Sequence, residues 1–208
     1  MPDPNRLNSY FTLAAPAQAE IKVQKSRFLA EVVPVTSLDE AKEALADISR
    51  RYHDCRHVCY AWRGGTGLDL QEIRNDGGEP SGTAGEPILA ALRQADVTDC
   101  VAVVARYFGG IKLGTGGLAR AYGQATAAAL ALAERLTVNI GRQWILQCPY
   151  AHQKTVTHLL ARFGGRIVAQ EFTEQVVWQI WLPESGRTHF GEALSEATAG
   201  AVQIKAPT

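Results

Sequence analysis

The sequence predicts an α+β protein of two domains, and three observations carry that prediction. Strand-like and helix-like stretches are mixed along the whole chain, glycine clusters set off a long alanine-rich helix, and from about Gly141 the pattern restarts as strand-helix-strand-strand-helix-strand. The boundary falls near 139–142, giving domains 1–139 and 142–208. A chain of 208 residues has the length for this, and its 46% hydrophobic and 20% charged residues exclude disordered, collagen-like and coiled-coil classes. Equal numbers of basic and acidic side chains, 21 of each, remove the broad positive field of many nucleic-acid binders and leave only local basic patches. No segment approaches the roughly 18 apolar residues of a membrane span. The opening Met1-Pro2-Asp3-Pro4-Asn5-Arg6 lacks a basic segment followed by an apolar run, so a soluble, cytoplasmic protein is expected. Cys55, Cys59, Cys100 and Cys148 are scattered, which points to reduced thiols.

The elements follow in order. Ser26 to Pro34 partly alternates and ends on proline, the pattern of a strand closing in a turn. Ser37-Leu38-Asp39-Glu40 has capping-box spacing, and Leu38, Ala41, Leu45, Ile48 and Tyr52 then recur at helical intervals. His57 to Arg63 reads as a short aromatic strand stopped by Gly64, Gly65 and Gly67. Asn75 to Gly85 holds too many breakers for an element and reads as a long ordered loop. Pro87 suits a first helical turn, with Ile88, Leu89 and Leu92 as its buried stripe. Cys100 to Ala105 is an unbroken apolar run, the pattern of a strand covered on both faces. Leu118, Tyr122, Ala125, Ala129, Leu132, Ala133 and Leu136 outline a long helix. The second domain reads as strand 144–150, helix 152–163, strands 166–172 and 175–182, helix 187–199 and strand 202–205, the βαββαβ order of ferredoxin-like domains.

Several constellations could carry chemistry. The loop from Asp76 to Gly85 gathers Asp76, Glu79, Ser81 and Thr83 among glycines that let backbone approach a ligand. Gly114-Thr115-Gly116-Gly117 precedes the long helix, where free N–H groups and the positive dipole end favour an anion, and Lys112 and Arg120 add charge. The segment matches neither the Walker motif nor the dinucleotide fingerprint, so no cofactor is implied. Cys55, His57 and Cys59 alternate, but the second ligand pair of a zinc site is missing, and a packed thiol pair beside a hydrogen-bonded histidine is the preferred reading over a metal. His57, Cys59, Asp76, Glu79 and Ser81 supply the residue types of a nucleophilic triad without a spacing that identifies one. Basic residues near Lys22, Arg50, Arg56 and Arg106 interleave with Tyr52, Tyr60, Trp62, Tyr107 and Phe108, a mixture that suits single-stranded or looped RNA.

On Lys25-Ser26-Arg27-Phe28, Arg56-His57-Val58-Cys59-Tyr60-Ala61, Glu79-Pro80-Ser81-Gly82-Thr83-Ala84-Gly85 and the run Arg106 to Leu118, the chain resembles the YigZ/IMPACT family. The resemblance covers essentially the whole chain, including the smaller second domain of bacterial members. It implies a left-handed βαβ fold for the first domain, like domain four of elongation factor G and GHMP kinases, and a second domain like the fifth domain of that factor. It also implies a general link to translation. Eukaryotic members act in translational control through an additional N-terminal domain, so their regulatory partner is not carried over. Two positions depart from the family pattern: Gly77 stands where a second acid usually precedes the Gly-Glu-Pro segment, and Glu86 where a basic residue is common.

The reading preferred from sequence is a non-enzymatic, translation-associated protein that contacts RNA or a ribosomal partner through Arg106, Lys112 and Arg120, with Gly114, Thr115, Gly116, Gly117, Ser81 and Thr83 beside them. The competing reading is an enzyme or binding protein for a small phosphorylated ligand held by the glycine loops, with His57, Asp76 and Glu79 converging on it. A third is a protein-interaction scaffold. None of them needs a metal or a membrane.

Overall fold

The computed structural model describes residues 9–206, so the expectation about the opening segment lies outside the described residues. Strand β1 (Ser9–Leu13) leads to β2 (Ala17–Val23), β3 (Ser26–Pro34), α1 (Leu38–Arg51), β4 (His57–Gly64), β5 (Gln71–Asn75), α2 (Gly85–Gln94), β6 (Cys100–Tyr107), α3 (Gly114–Leu132) and β7 (Arg135–Asn139). The second unit runs β8 (Gly141–Cys148), α4 (Gln153–Arg162), β9 (Arg166–Phe172), β10 (Val176–Pro183), α5 (Arg187–Thr198) and β11 (Gln203–Lys205). Among the described residues Tyr10–Val138 form one compact unit, and the chain from Asn139 onward, with Ser9, forms the other. Among the described residues no helix is long and apolar enough to cross a membrane.

In the first unit the sheet order is β2-β3-β6-β4-β5, and every neighbouring pair is antiparallel. Strands β3 and β4 are therefore parallel to each other, joined by α1, with β6 inserted between them: a split βαβ unit. The apolar run of β6 follows from its central place. Cys100, Ala102 and Val104 point into the core under α2 and α3, while Val101 and Val103 point into a second core under α1. Alternate side chains of one strand thus serve two layers, which leaves no position for a polar residue before Arg106.

The cap of α1 forms with one difference from the expected box. Ser37 Oγ accepts from the Glu40 N–H at 3.2 Å, and the Glu40 carboxylate, which also feels the Ser37 N–H, accepts most closely from the Thr36 N–H at 2.6 Å. Strands β1, β2, β5 and β7 were not among the elements read from sequence, and Leu136, expected in the long helix, lies in β7 because α3 ends at Leu132. In β2 the signal was present, because Ala17, Ala19, Ile21 and Val23 alternate against the α3 core. Asn75 closes β5 and Gly85 opens α2, so the long loop is shorter at both ends than its composition suggests.

Two of the family-like motifs meet at the end of the β3–β6 ladder, where Arg27 pairs with Tyr107. Ser26 is fully buried and its hydroxyl accepts from the Gly109 N–H at 3.1 Å. A Cβ at Gly109 would lie 2.0 Å from the Lys25 carbonyl carbon, so this backbone crossing admits no side chain. Gly109→Ala should destabilise the protein by about 1–3 kcal/mol, as overpacking does. Urea denaturation measures it, and an unchanged midpoint would refute the close approach.

In the second unit the sheet order β11-β8-β10-β9 is antiparallel throughout, the strand arrangement of a ferredoxin-like domain. Val176, Trp178, Ile180 and Leu182 of β10 alternate inward and meet Val156, Leu160, Phe190 and Leu194 from α4 and α5. The first strand begins at Gly141, three residues before the expected Trp144.

Candidate anion-binding cleft

The fold brings the end of β6, the loop after β5 and the start of α3 around one cleft of about 430 Å³ in the first unit. Arg106 forms its floor. Being the last inward-facing residue of β6, its side chain is only 6% exposed, and its guanidinium lies between the rings of Phe28 and Phe108, each 5.5 Å away. Glu79, whose side chain is 4% exposed, accepts hydrogen bonds from Arg106 Nη1 at 2.5 Å and from the Tyr122 hydroxyl at 2.9 Å. Tyr122 is held in turn by edge-on packing against Phe28. A buried ion pair is tolerable because these additional contacts satisfy it. One group is left over: Arg106 Nε is buried with no hydrogen-bond partner among the described residues. Leaving such a donor unpaired costs about 1–3 kcal/mol, and Trp62 Nε1 and Trp178 Nε1 are left in the same way, so the atom by itself does not mark a ligand.

The opposite wall is the N-terminus of α3. Gly114 opens the helix at φ +69°, and a side chain there would meet open space. No side chain caps this end and no acidic residue occupies the first turn, so the dipole of a 19-residue helix faces the cleft without a protein anion against it. Thr115, Lys112 and Arg56 stand on the rim, while Pro80, Phe108, Leu113 and Leu118 give an apolar wall. Three cations line the cleft against one carboxylate, and that carboxylate is already committed.

The acidic loop has a different task. Asp76 accepts from the N–H groups of Gly82, Ala84 and Gly85 at 2.8–2.9 Å. The last two open α2, whose own N-cap position, Ala84, has no side chain to do this. Burial alone would raise the Asp76 carboxyl, but those three donors together with the charge of Arg74 hold it below the usual carboxylate range. The loop is pinned to β4 as well: Gly77 sits at φ +55°, where a Cβ would fall 2.0 Å from the Val58 carbonyl oxygen, and its own oxygen lies 2.9 Å from His57 Nδ1.

The residues singled out from sequence are thus distributed unevenly. Arg106, Lys112, Gly114 and Thr115 line the cleft together with Glu79. Arg120 lies along the first turn of α3, within 3.7 Å of where a Gly116 side chain would be. Gly116 and Gly117 belong to that turn and Thr83 bonds the Pro80 carbonyl at 2.7 Å, whereas Ser81 is exposed. His57 forms no hydrogen bond with Asp76 or Glu79 among the described residues, its ring being engaged by Gly77. Cys59 is fully buried, 2.9 Å from the Asp76 carbonyl oxygen and 3.3 Å from the Tyr122 hydroxyl, and burial pushes its thiol up to about 12. Tyr122, whose hydroxyl burial also drives well above the ordinary phenol range, was read only as part of a helical stripe. Nothing in its spacing announced the contact with Glu79.

A two-domain α+β chain with a basic cleft in its first domain is thus the class that fold and site define. The Impact N-terminal domain profile matches residues 24–130, and that of a domain of unknown function, DUF1949, matches 146–201. The chain is 33% identical over 201 residues to the IMPACT family member YigZ of Escherichia coli (strain K12), covering 96% of this chain and 98% of that one. It is 34% identical over 199 residues to YvyE of Bacillus subtilis (strain 168), covering 96% and 91%. The chain belongs to the IMPACT family. A solved structure described as that of a hypothetical protein superposes with a TM-score of 0.69 at 32% identity, covering 97% of this chain and 98% of that one.

Proposed function

We propose that the first domain is a phosphate-binding module and that its natural ligand is RNA, which would make this protein a binding factor associated with translation. The observation that supports it is the lining of the cleft: Arg106, Arg56 and Lys112 stand around it together with an uncapped helix N-terminus. Backbone donors, a guanidinium and a lysine converging on one concavity suit a phosphate group. Phe108 is 45% exposed at the edge of the cleft and offers a ring on which an unstacked base can lie.

Fluorescence anisotropy with a labelled single-stranded RNA tests this across a salt series. Binding should weaken as salt rises, and Lys112→Ala should flatten the logarithmic slope by about 0.7, the loss of one phosphate contact on a single strand. Binding that ignores salt, or no binding, would overturn the RNA reading.

A further inference from the structure

We infer that two copies of this chain pair edge to edge through β9, joining their two four-stranded sheets into one. The edge differs from the others of the two larger sheets. Strand β2 presents Gln18, Glu20 and Lys22 at its exposed positions, β5 carries Glu72 and Arg74 in ion pairs, and β11 has three residues ending in Lys205. Charged or short edge strands keep a sheet from pairing with another chain. Strand β9 has seven residues, all of them exposed, among them Ile167, Val168 and Phe172 at 37%, 48% and 59%. Its outer edge pairs with no strand among the described residues.

Charge decides what covers that edge. Residues five apart in a regular strand point to opposite faces. In β9 the pairing with β10 shifts between Gln179 and Ile180 and passes over Val168, so that Glu171 opposite Val177 and Arg166 opposite Trp181 lie on one face, the one turned away from the α4 and α5 core. The Arg166 guanidinium stands 4.3 Å over the Trp181 ring, in agreement with that register. Neither Arg166 nor Glu171 has an ion-pair partner among the described residues. In an antiparallel pair of β9 strands about a twofold axis, the register that sets Arg166 against Glu171 of the second copy also sets Glu171 against its Arg166. Ile167 then meets Gln170, again on matching faces. A twofold interface repeats each contact, so the strand is complementary to itself and a second copy is the occupant it fits.

Sedimentation velocity of the full chain over a concentration series tests this. Two short strands make a small interface, so a dimer with a Kd of about 10–100 µM is expected. Glu171→Arg and Arg166→Glu each set like charges against one another at both ends of the pairing, and each should weaken the dimer at least about tenfold. Mixed in equal amounts, the two variants should associate with each other about as tightly as the unaltered chain, because both contacts between them then join opposite charges. No role of either residue within a single copy would give that recovery. Val168→Lys, at an exposed position of the edge, should also weaken the dimer while leaving the urea midpoint unchanged. A chain that stays monomeric throughout the series overturns the inference. So does a dimer that ignores both charge reversals, or a mixture that associates no better than either variant alone.

Discussion

Arg106→Ala should destabilise the protein by about 3–5 kcal/mol, the usual consequence of stripping one partner from a buried ion pair. The Glu79 side chain, 4% exposed in the intact protein, would keep only the Tyr122 hydroxyl against its charge, and the Arg106 side chain would no longer fill the space beside Phe28 and Phe108. The effect belongs to the pair and not to the arginine alone. Arg106→Met combined with Glu79→Gln should therefore regain most of the loss, since methionine refills the gap and glutamine carries no charge. Chemical denaturation of Arg106→Met, Glu79→Gln and the double variant completes the cycle. Equal and additive losses would mean that the pair is not coupled. The double variant should still fail to bind phosphate, which separates the structural role of the pair from its proposed role in binding.

The second large effect lies at Asp76. Asp76→Ala removes the acceptor for two N–H groups at the start of α2 and a third in the loop, and should cost about 2–3 kcal/mol. Asp76→Asn keeps an acceptor oxygen but turns an amide toward the donors, so it should fall between. The charge gives the effect a pH signature. Because the folded carboxyl titrates below its unfolded value of about 3.9, the charge-dependent share of stability is fully present above that value and is lost as pH falls through the folded one. The gap between wild type and Asp76→Asn should accordingly be constant near neutrality and close as the solution is acidified toward pH 2. A gap that persists undiminished in acid would show that the carboxylate charge contributes nothing.

Much of the first domain was legible because its elements carry periods. Leu38, Ala41, Leu45 and Ile48 mark α1, and the unbroken run of β6 announces a strand with a layer on each face. The short elements β1, β5 and β7 were not legible, since five residues hold too few repeats for a period to register, and β1 and β7 pair with each other across more than a hundred residues. The glycines told a half-truth. Those of 114–117 mark a helix start beside the cleft, whereas Gly77 and Gly109 serve backbone crossings that leave no room for a Cβ.

By itself, the sequence determined the α+β class, the βαββαβ order of the second domain and the family-like motifs, because periodicity, caps and turn residues are local properties of the chain. Only the tertiary structure decided what each motif touches. Glu79 and Asp76 look alike in a loop of acids and glycines, yet one meets an arginine 27 residues further on and the other caps a helix eight and nine residues away. Strand register and helix packing set those partners, and a side chain's role follows from the group it meets, which its spacing along the chain does not encode.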